Sequence, residues 1–206
     1  INDVSSKSQI RYFGALAEFN FDLGKIKQAE LLYKSGIEIA QKNSDETDKA
    51  WINAAKILYL LNDGKLIEAK KYLELIEKLK SNNSLSINTL DLSVTKAVIA
   101  GFEGDTSKSK EYFDIAEKDL VKNFNNDKPN TYFLRFWQSK VALFQKDYEK
   151  LKSISEKYLD VAKKYNSKDS LLLIYINLTK AYLGTGNLSK AKEAINRSIE
   201  LLETKR

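Results

Sequence analysis

The chain has 206 residues, 34 Lys and Arg against 28 Asp and Glu, and a formal net charge of +6. It contains no His and no Cys, which excludes Ser-His and Cys-His nucleophilic sites, imidazole- or thiolate-held metals, iron–sulfur clusters and disulfides. Only 8 Gly and 1 Pro argue against a strand-and-turn protein, and 43% apolar residues is too many for disorder.

In chain order the sequence repeats one short block five times. Gly24-Lys25-Ile26-Lys27-Gln28-Ala29 returns as Gly64-Lys65-Leu66-Ile67-Glu68-Ala69, then as Gly104-Asp105-Thr106-Ser107-Lys108-Ser109. It returns again as Lys146-Asp147-Tyr148-Glu149-Lys150-Leu151 and Gly186-Asn187-Leu188-Ser189-Lys190-Ala191. The blocks end at 29, 69, 109, 151 and 191. A fixed period in this range marks a stacked array of supersecondary units. Such an array offers an extended surface to a partner, which argues for binding over chemistry.

Each period reads as two helices, because apolar residues recur at i, i+3, i+4 and i+7 on both sides of the block. The spacing predicts ten helices, at 8–23, 26–42, 47–62, 65–80, 85–102, 105–123, 129–145, 148–165, 169–184 and 188–204. Breaks such as Gly184-Thr185-Gly186-Asn187 end one helix with a residue that tolerates the left-handed conformation and offer a cap to the next. The joints between repeats are polar, as in Ser81-Asn82-Asn83-Ser84 and Asn166-Ser167-Lys168-Asp169. Pro129 suits a first helical turn. One domain is predicted over 1–206, with repeats at 8–43, 47–81, 85–124, 129–165 and 169–204. No apolar run reaches the roughly 18 residues of a membrane span. The chain opens at Ile1 without an initiator Met, as expected of an excised fragment or processed product.

The run Tyr175-Ile176-Asn177-Leu178-Thr179-Lys180-Ala181-Tyr182, followed by Gly186-Asn187-Leu188-Ser189-Lys190-Ala191, resembles a tetratricopeptide repeat. Phe13, Leu16, Ala17, Gly24 and Ala29 carry the same pattern in the first repeat; the fourth keeps only Ser139, Ala142 and Asp147-Tyr148. The resemblance implies an all-α, right-handed α-solenoid of five helix pairs. Its 40- to 42-residue unit is longer than the family's basic one. In that respect it is similar to bacterial peptide-pheromone receptors, to large helical transcription activators and to kinesin light chains. The implied function is a noncatalytic peptide- or protein-binding module, the sensing or scaffolding part of a larger bacterial regulatory protein. The alternative is a structural assembly or oligomerisation scaffold, extracytoplasmic rather than cytoplasmic.

By the family register the first helix of each pair lines a groove. Small residues at Ala17, Ala55, Ala97, Ser139 and Thr179 are read as packing positions, and Phe13, Trp51, Tyr175 and Tyr182 as core. The cluster Tyr132-Phe133-Leu134-Arg135-Phe136-Trp137 is too apolar for one helix face to bury. It is either buried on two sides or the hot part of an interface, where aromatics and Arg concentrate binding energy. The candidate site is therefore Phe133, Phe136 and Trp137 as apolar anchors, with Lys140, Asn177 and Lys180 as polar contacts. Residues 151–206 hold 11 basic against 6 acidic side chains, which favours a partner with acidic character. Nucleic acid is not the expected partner, since there is no Arg-rich strip and no helix-turn-helix signature. The family's carboxylate clamp is incomplete, with Gly14 and Glu18 where Lys and Asn are needed. The phosphate-loop-like run from Gly101 to Ser109 has Thr106 where a second Gly belongs and reads as a helix–helix turn. No cofactor or metal is expected.

Overall fold

A computed structural model describes residues 26–42, 63–81, 89–126, 128–164 and 168–203. It also describes Gln9, Phe13, Leu16, Ala17, Asn53, Lys56, Ile57 and residues 59–61, all helical. The helices are α1 Ile26–Lys42, α2 Leu66–Ser81, α3 Thr89–Phe102, α4 Thr106–Phe124, α5 Lys128–Phe144, α6 Tyr148–Lys164, α7 Lys168–Gly184 and α8 Leu188–Glu203. Among the described residues there is no strand. The expected helices at 8–23 and 47–62, and the start of the one expected at 85, lie largely outside the described residues. The other boundaries agree with the expected ones to within a residue or so at nearly every end.

The chain divides into two compact units, residues 1–99 and 100–206. In the first, Tyr33 of α1 packs its ring 5.2 Å from that of Tyr59. Lys56 donates to the Tyr72 hydroxyl at 2.7 Å. Lys96 of α3 pairs with Glu77 of α2 at 2.6 Å. In the second, α4 packs on α5, α5 on α6, α6 on α7 and α7 on α8.

One turn joins the two helices of a repeat wherever both ends are described. The amides of Gly64, Gly104, Lys146 and Gly186 bond the carbonyls of Leu61, Gly101, Leu143 and Leu183 at 3.1–3.2 Å. The next amides, of Lys65, Asp105, Asp147 and Asn187, reach back to Leu60, Ala100, Ala142 and Tyr182 at 2.8–2.9 Å. This pair of bonds is a Schellman ending, and it needs a left-handed residue at its centre. Three of the four are glycines with φ of 73°, 83° and 76°; the fourth is Lys146 at 56°. A non-glycine residue there costs roughly 1–2 kcal/mol. Lys146→Gly is therefore expected to raise stability by about 1 kcal/mol, read as a higher urea midpoint with an unchanged slope. An unchanged or lower midpoint would mean that Lys146 makes a compensating contact.

The residue after the left-handed position starts the next helix. Asp105, Asp147 and Asn187 accept from the amides of Lys108, Lys150 and Lys190 at 3.0–3.1 Å. Each satisfies one of the amides that a helix start leaves without a partner. The Lys108 amide holds the Asp105 carboxyl below the usual carboxylate range, and the Lys108 ammonium adds to this. A depressed pKa means that this cap stabilises the fold above the usual range and is lost as pH falls through the lowered value. In the second repeat Lys65 takes the cap position. An ammonium cannot accept a hydrogen bond, and it pairs instead with Asp63 at 2.8 Å.

Packing follows the same period. The block-ending residues Ala29, Ala69, Ser109, Leu151 and Ala191 are all buried. Ala17, Ala97 and Ser139 on the first helices are buried as well. Thr179 is half-buried, its hydroxyl tied to the Tyr175 carbonyl at 2.8 Å. Small side chains at these columns let the helix axes approach. In the second unit Tyr158 and Ala162 of α6, Ile174 and Leu178 of α7 and Ala194 of α8 form one buried cluster. Ala142, Leu151 and Ala181 form another.

Candidate functional site

The aromatic cluster opens α5, and the structure divides its members. Leu134 and Trp137 are buried, Trp137 at 6% exposure. This corrects the reading of Trp137 as an apolar anchor: its indole is core. Phe136 is half-buried and meets Trp137 edge-on at 5.2 Å. Lys140, one turn on, places its ammonium 5.3 Å from the centre of the Phe136 ring, within cation–π range. Phe133 is helical, and its side chain is outside the described residues.

Arg135 is already engaged. Its guanidinium forks onto the Glu117 carboxylate of α4, Nη2 donating to Oε2 at 2.9 Å and Nη1 to Oε1. Nη1 also donates to Gln138 Oε1 at 2.7 Å, and Gln138 Nε2 donates to Glu117 Oε1 at 2.9 Å. The pair is bidentate and roughly a quarter to a third exposed. It joins α5 to α4 rather than offering a free charge to a ligand.

Phe136 and Asn177 do come together. With Ser139, Tyr158 and Ile174 they line a void between α5, α6 and α7. Its volume is only about 10 Å³, room for one water at most. Asn177 is half-buried and Lys180 is exposed. The void that Phe136 and Asn177 line is too small for a ligand. Burial raises the pKa of the neighbouring Tyr158 phenol, while Ser170 and Arg135 pull it down.

A larger concavity lies on the other side of α7. Leu171, Tyr175, Leu178 and Tyr182 fall at i, i+4, i+7 and i+11 and form the floor of a groove of about 630 Å³. Leu159 and Lys163 of α6 wall one side; Lys190, Glu193, Arg197 and Leu201 of α8 wall the other. The size is that of a ligand pocket, with an apolar base and polar groups at the rim. Tyr175 and Tyr182, read from sequence as core, are half-buried: each packs on the core cluster and shows an edge to the groove. Burial raises the Tyr182 pKa, and its hydroxyl donates to Glu156 at 3.0 Å, which raises it further. Lys190 lies 5.6 Å from the Tyr182 ring centre. Arg197 pairs with Glu200 at 2.9 Å along α8.

Sequence reasoning missed this groove, although a signal for it existed. Residues 171–178 of α7 are Leu-Leu-Leu-Ile-Tyr-Ile-Asn-Leu, apolar nearly all round. Such a helix is covered on several sides, so a second apolar face was to be expected. Among the described residues no group of three acidic side chains could hold a metal. No described helix is long and apolar enough to cross a membrane.

The family profile for the tetratricopeptide repeat matches residues 172–202, which is the α7–α8 pair that forms the floor and one wall of the groove. Among solved structures, the chain is similar to TPR-like repeats of a Podosopora anserina protein provisionally assigned as a kinesin light chain. Against a single-substitution form of that protein the identity is 14%, with 98% of this chain and 99% of the other covered and a TM-score of 0.59. Against another form the values are 15%, 98%, 99% and 0.58. At such identity the likeness shows the fold alone. Among curated proteins no match to the chain is found.

Proposed function

Because the chain has the TPR-like repeat fold, an all-α solenoid, we propose that it is a noncatalytic module that binds a peptide or protein and serves as the sensing or scaffolding part of a larger bacterial regulatory protein. The observation that carries this reading is the groove over α7. Its floor is aliphatic and tyrosyl, and its rim carries Lys163, Lys190 and Arg197 against Glu193 and Glu200. Apolar pockets take side chains and the rim fixes direction. The excess of cations suits a peptide with apolar and acidic residues. A chain without His or Cys has few means of nucleophilic or general-base chemistry, which supports binding over catalysis.

The test is selection of binders from a random displayed peptide library, followed by affinity measurement on two charge-reversed variants. Lys190→Glu with Arg197→Glu alters the rim of the groove. Lys140→Glu with Lys180→Glu alters the other side of α7. The rim variant is expected to weaken binding about tenfold or more, which is about 1.4 kcal/mol, while the other leaves it unchanged. Loss of binding in the Lys140 and Lys180 variant alone would move the site to the Phe136 side. Failure to select any saturable binder would count against the peptide-binding reading itself.

A further inference from the structure

Helix α8 shows a second apolar face, separate from the groove. Leu188, Ile195, Ile199 and Leu202 are 69%, 40%, 46% and 50% exposed. They fall at i, i+7, i+11 and i+14, a single stripe along the helix. The repeat shows what such a stripe does. The counterparts of these residues in α6, one period earlier, are Tyr148, Ser155, Leu159 and Ala162. Ser155 and Ala162 are buried and the other two half-buried, and the covering helix is α7. A Cβ on its Gly184 would fall on the Tyr148 ring, and its Ile174 and Leu178 pack with Ala162 and Leu159. In α4 the counterparts include Phe113 and Leu120, both buried, and Glu117, held by Arg135 of α5. The stripe on α8 is therefore the surface that in earlier repeats receives a helix.

We infer that this stripe pairs with α8 of a second copy of the chain, antiparallel, across a twofold axis. The charges on α8 select that occupant. Beside the stripe stand Lys192 in its first half and Glu203 at its end, whereas Lys190, Glu193, Arg197 and Glu200 line the groove. Lys192 and Glu203 are eleven residues apart, about three turns, and so lie on the same flank of the stripe. Antiparallel pairing that sets Ile195 against the other copy's Ile199 also sets each Lys192 beside the other's Glu203. A twofold interface needs a patch that complements itself; here Ile195 meets Ile199 and Lys192 meets Glu203. The macrodipoles of two antiparallel helices also oppose favourably.

The test is sedimentation velocity and light scattering on the purified chain, over a concentration series reaching about 1 mM. The expected result is a monomer–dimer equilibrium with no larger species. Ile199→Lys should raise the dissociation constant at least about tenfold, and Ile195→Lys should do the same; both side chains are exposed, so helix content should not change. Lys192→Glu and Glu203→Lys should each weaken the dimer, and the double reversal should restore it. A chain that stays monomeric throughout the series overturns the proposal and leaves the stripe to a different helix. A dimer indifferent to both Ile199→Lys and Ile195→Lys, a double reversal no better than the single ones, or assembly beyond a dimer overturns it too.

Discussion

Trp137→Ala is expected to lower stability by about 3–5 kcal/mol, the range for removing a buried Trp. The indole is 6% exposed, so truncation leaves a large void among α5 and its neighbours. Phe136→Ala should cost clearly less. That ring is half-buried and its packing includes the edge contact with Trp137 and the Lys140 ammonium. Such ring and cation contacts are worth on the order of 1 kcal/mol each. Urea unfolding of the two variants separates the cases. The pair would rank the other way if the cluster were an interface with Trp137 as its centre. Equal, small losses for both would show that Trp137 is not a core residue.

This pair of neighbours shows where sequence reading stops. Periodicity established that residues 132–137 exceed one helix face, and it left two-sided burial and an interface both open. Choosing between them needs the identity of the neighbour on each side, which is set by stacking and not by local spacing. Arg135 makes the point again. It stood in an aromatic run and invited an interface role, yet its partner is Glu117, 18 residues earlier on another helix. The turns were legible for a local reason. Gly64, Gly104 and Gly186 mark the left-handed positions, and after the last two the Asp or Asn that follows caps the next helix. The fourth repeat was the weakest in sequence because Lys146 replaces the glycine, although its backbone makes the same turn. The groove was signalled only by the apolar run at 171–178, which does not place it. It arises because α6 and α8 flank α7 with a gap between them, and only three-dimensional placement reveals a gap.

Gly101→Leu is expected to destabilise the second unit by about 1–3 kcal/mol, the usual penalty for overpacking. The repeats argue the reverse. The equivalent positions carry Leu61, Leu143 and Leu183, and Leu is a far better helix former than Gly, by nearly 1 kcal/mol. A consensus substitution would therefore look favourable. The space decides against it. A Cβ at Gly101 would lie 2.5 Å from Val141 Cγ1 and 3.0 Å from Ser109 Oγ. Val141 is buried on α5 and branched at Cβ, so it has no free rotamer into which to retreat. The backbones are also held close. Gln145 Nε2 donates to the Gly101 carbonyl at 3.1 Å, and Phe102 meets Phe144 edge-on at 4.6 Å. Residues 100–102 cannot move away from α5 without breaking both contacts. Val141→Ala should relieve the clash. The double variant is then expected to be more stable than the sum of the two single effects, by on the order of 1 kcal/mol. The check is a double-mutant cycle on unfolding free energies. Strict additivity, or a stabilising Gly101→Leu, would show that the close approach of Gly101 to Val141 does not limit the packing there.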